Sequence, residues 1–159
     1  MKNIKLVNDT ISNEDIDYLI EWLKQYPRLT KGPVTEELEK KFAKKMESKY
    51  SVFCNSGSSA NLLMLQCILE NNLVSKGSKV VVPTLSWATD YSPVVQLGFQ
   101  PILCDVNNND LSLDLEHFEA ICKNEKPSAV ILVSVLGLVP NMNEILKICQ
   151  QYNVLLLED

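Results

Sequence analysis

No Cys-x-x-Cys pair occurs in this sequence, no apolar run is long enough to span a bilayer, and no Lys/Arg stripe marks one face for a polyanion. Each absence excludes a class. The five cysteines, Cys54, Cys67, Cys104, Cys122 and Cys149, are odd in number and scattered, mostly within apolar runs. Such thiols behave as small hydrophobes, which argues against a disulfide scaffold or a zinc site and for a reducing compartment. The N-terminus is polar and lacks a signal-peptide core, so a cytoplasmic protein with no membrane contact is expected. With 15 basic against 20 acidic residues the net charge is -5. The Lys40-Lys41 and Lys44-Lys45 pairs sit among Glu36, Glu37, Glu39 and Glu47, as on a solvated helix face, so no nucleic-acid partner is expected. There is also no Gly-rich nucleotide fingerprint and no phosphate-loop lysine.

What is present is an ordinary globular composition, 46% hydrophobic and 22% charged over 159 residues, enough to bury a core. Ser12 and Asp15 have capping-box spacing ahead of the stripe Ile16, Leu19, Ile20 and Leu23, which predicts a helix from Ser12 to Tyr26, ended by Pro27. A second helix, about Thr35 to Glu47, follows Gly32-Pro33. Together they form an N-terminal helical arm, residues 1–48. From residue 49 to 159 the pattern alternates. Strands are expected at Tyr50–Cys54, Lys79–Val82, Pro101–Asp105, Ala129–Val133 and Val154–Glu158. Helices are expected at Ser58–Leu69, Ala88–Leu97, Asp114–Cys122 and Asn143–Tyr152. Continuous aliphatic strands interleaved with helices imply a mostly parallel α/β sheet covered on both faces. The Asn107-Asn108-Asn109-Asp110 stretch lacks the Gly and terminal Glu of a calcium loop and reads as a surface turn; His117, beside Glu116 and Glu119, reads as an exposed structural residue.

Parallel α/β sheets bind ligands beyond the carboxyl ends of their strands, and the chemistry-bearing clusters fall there. Asn55-Ser56-Gly57-Ser58-Ser59-Ala60 opens a helix, where free amides, Ser hydroxyls and the helix dipole can hold a phosphate. Serine is also the preferred N-cap, so this turn alone reads equally as a cap. Trp87, within Ser86-Trp87-Ala88-Thr89, reads as a ring-stacking residue or as core filler. Asp159, closing Val154 to Glu158, reads as a site carboxylate or as a solvent charge.

Taken in order, these clusters resemble the front half of the fold-type I pyridoxal 5'-phosphate (PLP) enzymes, and more narrowly the DegT/DnrJ/EryC1/StrS family of nucleotide-sugar aminotransferases. The marks are Gly32-Pro33 before a Glu-rich helix, Ser56-Gly57-Ser58-Ser59-Ala60-Asn61, and Gly77-Ser78-Lys79-Val80 before a strand ending at Pro83. Ser86-Trp87-Ala88-Thr89, Gly98-x-x-Pro101 leading to Asp105, and the final Glu158-Asp159 complete the set. The resemblance implies PLP as cofactor, with its phosphate on Ser58 and Ser59, Trp87 on the ring, and Asp159 paired to the ring nitrogen. Two departures stand out. The phosphate turn has Gly-Ser-Ser where Gly-Thr-Ala is usual, and Ser134-Val135-Leu136-Gly137 replaces a segment that carries a His in many relatives.

By the same resemblance the Schiff-base lysine lies downstream of Asp159, with the remaining strands and a small C-terminal domain. No catalytic residue is therefore assigned within residues 49–159, which read as the first, truncated part of the PLP-binding large domain. The implied activity is amination of a nucleotide-linked keto-deoxysugar, with an amino acid such as glutamate as donor, in polysaccharide or deoxyaminosugar biosynthesis. Two alternatives stand beside it. One family branch carries His in place of the lysine and performs sugar 3-dehydration; or the chain is an inactive fragment needing a complementing piece. The resemblance further implies a homodimer for the complete protein.

Overall fold

A computed structural model describes residues 8–159. Contacts divide the chain into two compact units, one ending at Phe53 and one running from Cys54 to Asp159.

In the first unit, α1 (Asn13–Leu23) starts where Ser12 and Asp15 cap reciprocally: Ser12 Oγ accepts from the Asp15 amide at 3.2 Å, and the Asp15 carboxylate accepts from the Ser12 amide at 2.8 Å. α2 (Pro33–Lys45) begins with proline, whose missing N–H would have had no helical acceptor there anyway. The expected strand at Tyr50–Cys54 is absent. A strand exists only through ladder bonds to a neighbour, and none of the described residues pairs with this segment. Its one fixed amide, Phe53 N–H, donates instead to Glu39 Oε1 at 2.9 Å. Tyr50, Val52 and Phe53 are exposed.

The second unit contains α3 (Gly57–Glu70), β1 (Lys79–Pro83), α4 (Ala88–Gln96), β2 (Gln100–Cys104), α5 (Leu115–Glu125), β3 (Ala129–Leu132), a 3-10 turn (Val135–Gly137), α6 (Met142–Tyr152) and β4 (Leu155–Glu158). The strands form one parallel sheet in the order β2-β1-β3-β4. Alternate residues of each strand point to opposite faces. Val80, Val82, Ala129 and Ile131 pack with Leu65, Ile68, Val94 and Phe99, while Val81, Val130 and Leu132 pack with Phe118, Ile121 and Ile145. Helices α3 and α4 thus cover one face and α5 and α6 the other. This double coverage is why the strands read as unbroken aliphatic runs.

Pro93 lies inside α4, buried, and removes one amide from its ladder. At the α4–β2 turn Gly98 has φ +78 and its carbonyl accepts from the Gly77 amide at 2.9 Å. The 107–110 stretch is a turn, with Asn109 N–H donating to Asn107 Oδ1 at 2.8 Å. His117 is exposed and its Nδ1 accepts from the Asp105 amide at 3.1 Å, a structural role. Among the described residues no helix is long and apolar enough to cross a membrane.

Candidate functional site

The chain leaves β1 toward β2 on one side and reaches β3 and β4 on the other, so the loops after β1 and β3 diverge. Such a switch point opens a crevice at the carboxyl ends of the strands. Here it is a cavity of about 470 Å³ lined by Leu85, Ser86, Trp87, Ser134, Leu136 and Asp159, among others. The Asp159 amide donates to Leu132 O at 2.9 Å, extending the β3–β4 ladder by one residue and fixing the backbone at the cavity wall. Trp87 stands immediately before α4 with 76% of its surface exposed, which excludes a core-filling role. Its face is open to a planar partner.

Ser58 and Ser59 line an adjoining depression of about 340 Å³ with Ala88, Thr89 and Ser92. Trp87 of the first hollow and Ala88 of the second are consecutive in the chain, and the four residues singled out from the sequence fall in two cavities rather than one. At the start of α3, Ser56 is the N-cap: its Oγ accepts from the Ser59 amide at 3.2 Å and lies 3.2 Å from Ser59 Oγ. The cap uses only one donor. The amides of Gly57 and Ser58 have no acceptor among the described residues, and a Cβ on Gly57 would meet nothing within 4 Å. The helix therefore presents two free N–H groups and its positive dipole end to open space, a donor set suited to an oxyanion.

A buried pair that the sequence reading gave no role ties α3 to α4. Asn61 on α3 and Asp90 on α4 are both buried, at 2% and 0% exposure. Asn61 Nδ2 donates to Asp90 Oδ1 at 2.9 Å and lies 3.4 Å from Thr89 O. Thr89 O is free to accept because Pro93, four residues on, has no amide to offer it. Asp90 Oδ2 has no hydrogen-bond partner among the described residues. Burial pushes the Asp90 carboxyl up to about 6, with the Asp159 charge acting in the same direction, against the Trp87 amide and the Ser86 hydroxyl. In sequence an Asp in the first turn of a helix looks like an ordinary partner for the helix dipole, so nothing distinguished it.

Other groups do not compete as reaction centres. Burial raises the thiols of Cys104 and Cys122 to about 12 and that of Cys149 to about 11, so they remain protonated and inert at neutral pH. A cavity of about 610 Å³ in the first unit is walled by Trp22, Arg28, Lys31 and Phe53 among others, with no carboxylate, Cys or His. No cluster of metal-ligating side chains occurs among the described residues.

A doubly covered parallel sheet with these strand-end sites is the architecture of the fold-type I PLP enzymes, and comparison with solved structures gives the same fold. The structure of Escherichia coli GDP-4-keto-6-deoxy-D-mannose-3-dehydratase with bound hydrated PLP superposes with a TM-score of 0.89 at 32% identity, over 99% of this chain and 40% of that one. The chain belongs to the DegT/DnrJ/EryC1/StrS aminotransferase family, whose model matches residues 9–159. Among curated relatives, GDP-4-keto-6-deoxy-D-mannose 3-dehydratase of Escherichia coli O55:H7 is 35% identical over 150 residues, 92% of this chain and 38% of the relative. GDP-perosamine synthase of Caulobacter vibrioides is 26% identical, over 100% of this chain and 42% of the relative. The chain thus spans about two fifths of the length of the relatives it matches.

Proposed function

We propose that this chain supplies the cofactor-holding front of a PLP-dependent enzyme that removes the 3-hydroxyl of a nucleotide-linked 4-keto-6-deoxy sugar. The observation that carries the cofactor part is the placement of Trp87 and Asp159 in one strand-end cavity, with the open α3 N-terminus in the hollow beside it. The donor set fits PLP. The free amides of Gly57 and Ser58, with the hydroxyls of Ser58 and Ser59, would hold the phosphate; the indole of Trp87 would cover the ring; the Asp159 carboxylate would accept from the ring nitrogen. When bound, PLP supplies an electron sink for carbanion chemistry next to the sugar carbonyl. The chain's own residues bind it, orient its ring and keep its nitrogen protonated.

The choice of dehydration over the amination first expected rests on similarity. The 3-dehydratase of Escherichia coli O55:H7 is 35% identical, against 26% for the perosamine synthase. An amino acid such as glutamate as co-substrate, a cytoplasmic setting suited to five free cysteines, and a homodimeric assembly belong to the same proposal. The test is incubation with GDP-4-keto-6-deoxy-D-mannose, PLP and glutamate, followed by mass spectrometry of the sugar nucleotide. Loss of the 3-hydroxyl with the ketone retained supports dehydration. Replacement of the ketone by an amine overturns it in favour of transamination, and unaltered sugar with no PLP bound favours an inactive piece.

A further inference from the structure

Asp90 is the one buried carboxyl in this region that the proposed cofactor contacts do not use, and its two oxygens have different surroundings. Oδ1 accepts from Asn61 Nδ2 at 2.9 Å. The orientation of Asn61 is set independently, because the same Nδ2 lies against Thr89 O, which can only accept. Oδ1 is therefore held as the carbonyl-type oxygen. Oδ2 is buried and has no donor among the described residues. An ionised oxygen in that position would be desolvated with no donor at hydrogen-bonding geometry, the Trp87 amide and Ser86 hydroxyl offsetting only part of the cost, whereas an O–H there has a use. The charged group that faces Asp90 is the carboxylate of Asp159 at the end of β4, with the Ser86 hydroxyl and Trp87 amide on the loop before α4 and Asn61 on α3. The Asp159 charge adds to burial in raising the Asp90 carboxyl, and a carboxyl facing a carboxylate favours one proton shared between the two.

We propose that Asp90 is a positioning residue: it keeps its proton on Oδ2 and donates a hydrogen bond to the Asp159 carboxylate, holding that carboxylate toward the cavity where a ring nitrogen would sit. The purpose assigned to the pair rests on the cofactor reading above; the protonation itself does not. Asn61 makes the arrangement one-way by occupying Oδ1. The chain from α3 to Asp159 then runs Asn61 Nδ2–H to Asp90 Oδ1, and Asp90 Oδ2–H to Asp159. It would link the helix that presents the free amides to the carboxylate at the far side of the crevice. The elevation of the Asp90 carboxyl to about 6 agrees with this assignment.

Carbon-13 NMR of the side-chain carboxyls in the unaltered, cofactor-free chain tests the protonation directly. The Asp90 carbon is expected to titrate well above the ordinary carboxylate range, and a normal titration overturns the pair whatever the cofactor does. PLP affinity, measured by quenching of tryptophan fluorescence, tests the coupling. Asp90→Leu should weaken binding about tenfold by removing the donor to Asp159. Asp90→Asn presents an amide oxygen to Asn61 and an N–H to Asp159, and should restore affinity to within about threefold of the unaltered chain. Loss in Asp90→Asn equal to that in Asp90→Leu overturns the proposal. If Asp159→Asn binds PLP as tightly as the unaltered chain, the ring-nitrogen contact itself is wrong, and the purpose of the pair falls while the titration still decides its protonation.

Discussion

Burial of Asp90 makes the stability of the second unit respond to pH in the direction opposite to ordinary acid denaturation. In the unfolded chain this carboxyl titrates near 3.8, and in the folded chain near 6. Between those values the folded state binds the proton and the unfolded state does not, so stability falls as pH rises through the window and is level on either side. Each pH unit of separation is worth about 1.4 kcal/mol, which sets a ceiling of about 3 kcal/mol. The exposed Trp87 and Asp159 next to it admit water, and screening reduces the expected figure to about 1–2 kcal/mol. Asp90→Asn lacks the titrating group and keeps the contact with Asn61. Asp15, Glu37 and Glu39, held below the usual range by hydrogen bonds, are present in both proteins and cancel in the comparison. Urea unfolding followed by circular dichroism at pH values from about 4 to about 7 should show the stability of Asp90→Asn, relative to the unaltered chain, rising by about 1–2 kcal/mol. Parallel pH profiles with equal m-values would refute the reasoning, because Asp90 would then titrate alike in both states.

Two further expectations test the core. Phe118 is fully buried between the sheet and α5, so Phe118→Ala should destabilise the second unit by about 3–5 kcal/mol in the same unfolding assay. A thiol-reactive dye at mildly alkaline pH should label exposed Cys67 promptly and leave Cys104, Cys122 and Cys149 unmodified until denaturant is added.

The alternation of helix and strand from Gly57 to Glu158 was legible in the sequence because helices lie on both faces of the sheet, burying β1 and β3 most fully, and the strands so carry aliphatic runs. Element ends differ by a few residues at most. The segment Tyr50–Cys54 misled for the same reason: its sequence suits a strand, but strandedness is a property of a pair, and no described residue pairs with it. Trp87 and Asp159 could be placed at strand ends from the sequence, because strand ends are where a parallel sheet binds, and Ser58 and Ser59 at a helix start; the roles of all four belong to the proposal above. Asp90 and Asn61 could not be picked out. Neither identity nor spacing reveals that a first-turn Asp has turned inward, since that depends on which backbone carbonyl of α4 is left open.

That open carbonyl belongs to Thr89, and Pro93 creates it. A proline inside a helix is usually a defect to be tolerated, yet here the missing amide gives Asn61 a seat. The two positions are consequently coupled through one backbone carbonyl. A lineage that replaced Pro93 with a residue bearing an amide would refill the α4 ladder, displace Asn61 from Thr89 O and leave Asp90 as its one remaining partner. Variation at Pro93, on the wall of the Ser58–Ser59 hollow, would thereby change how firmly α3 and α4 are tied.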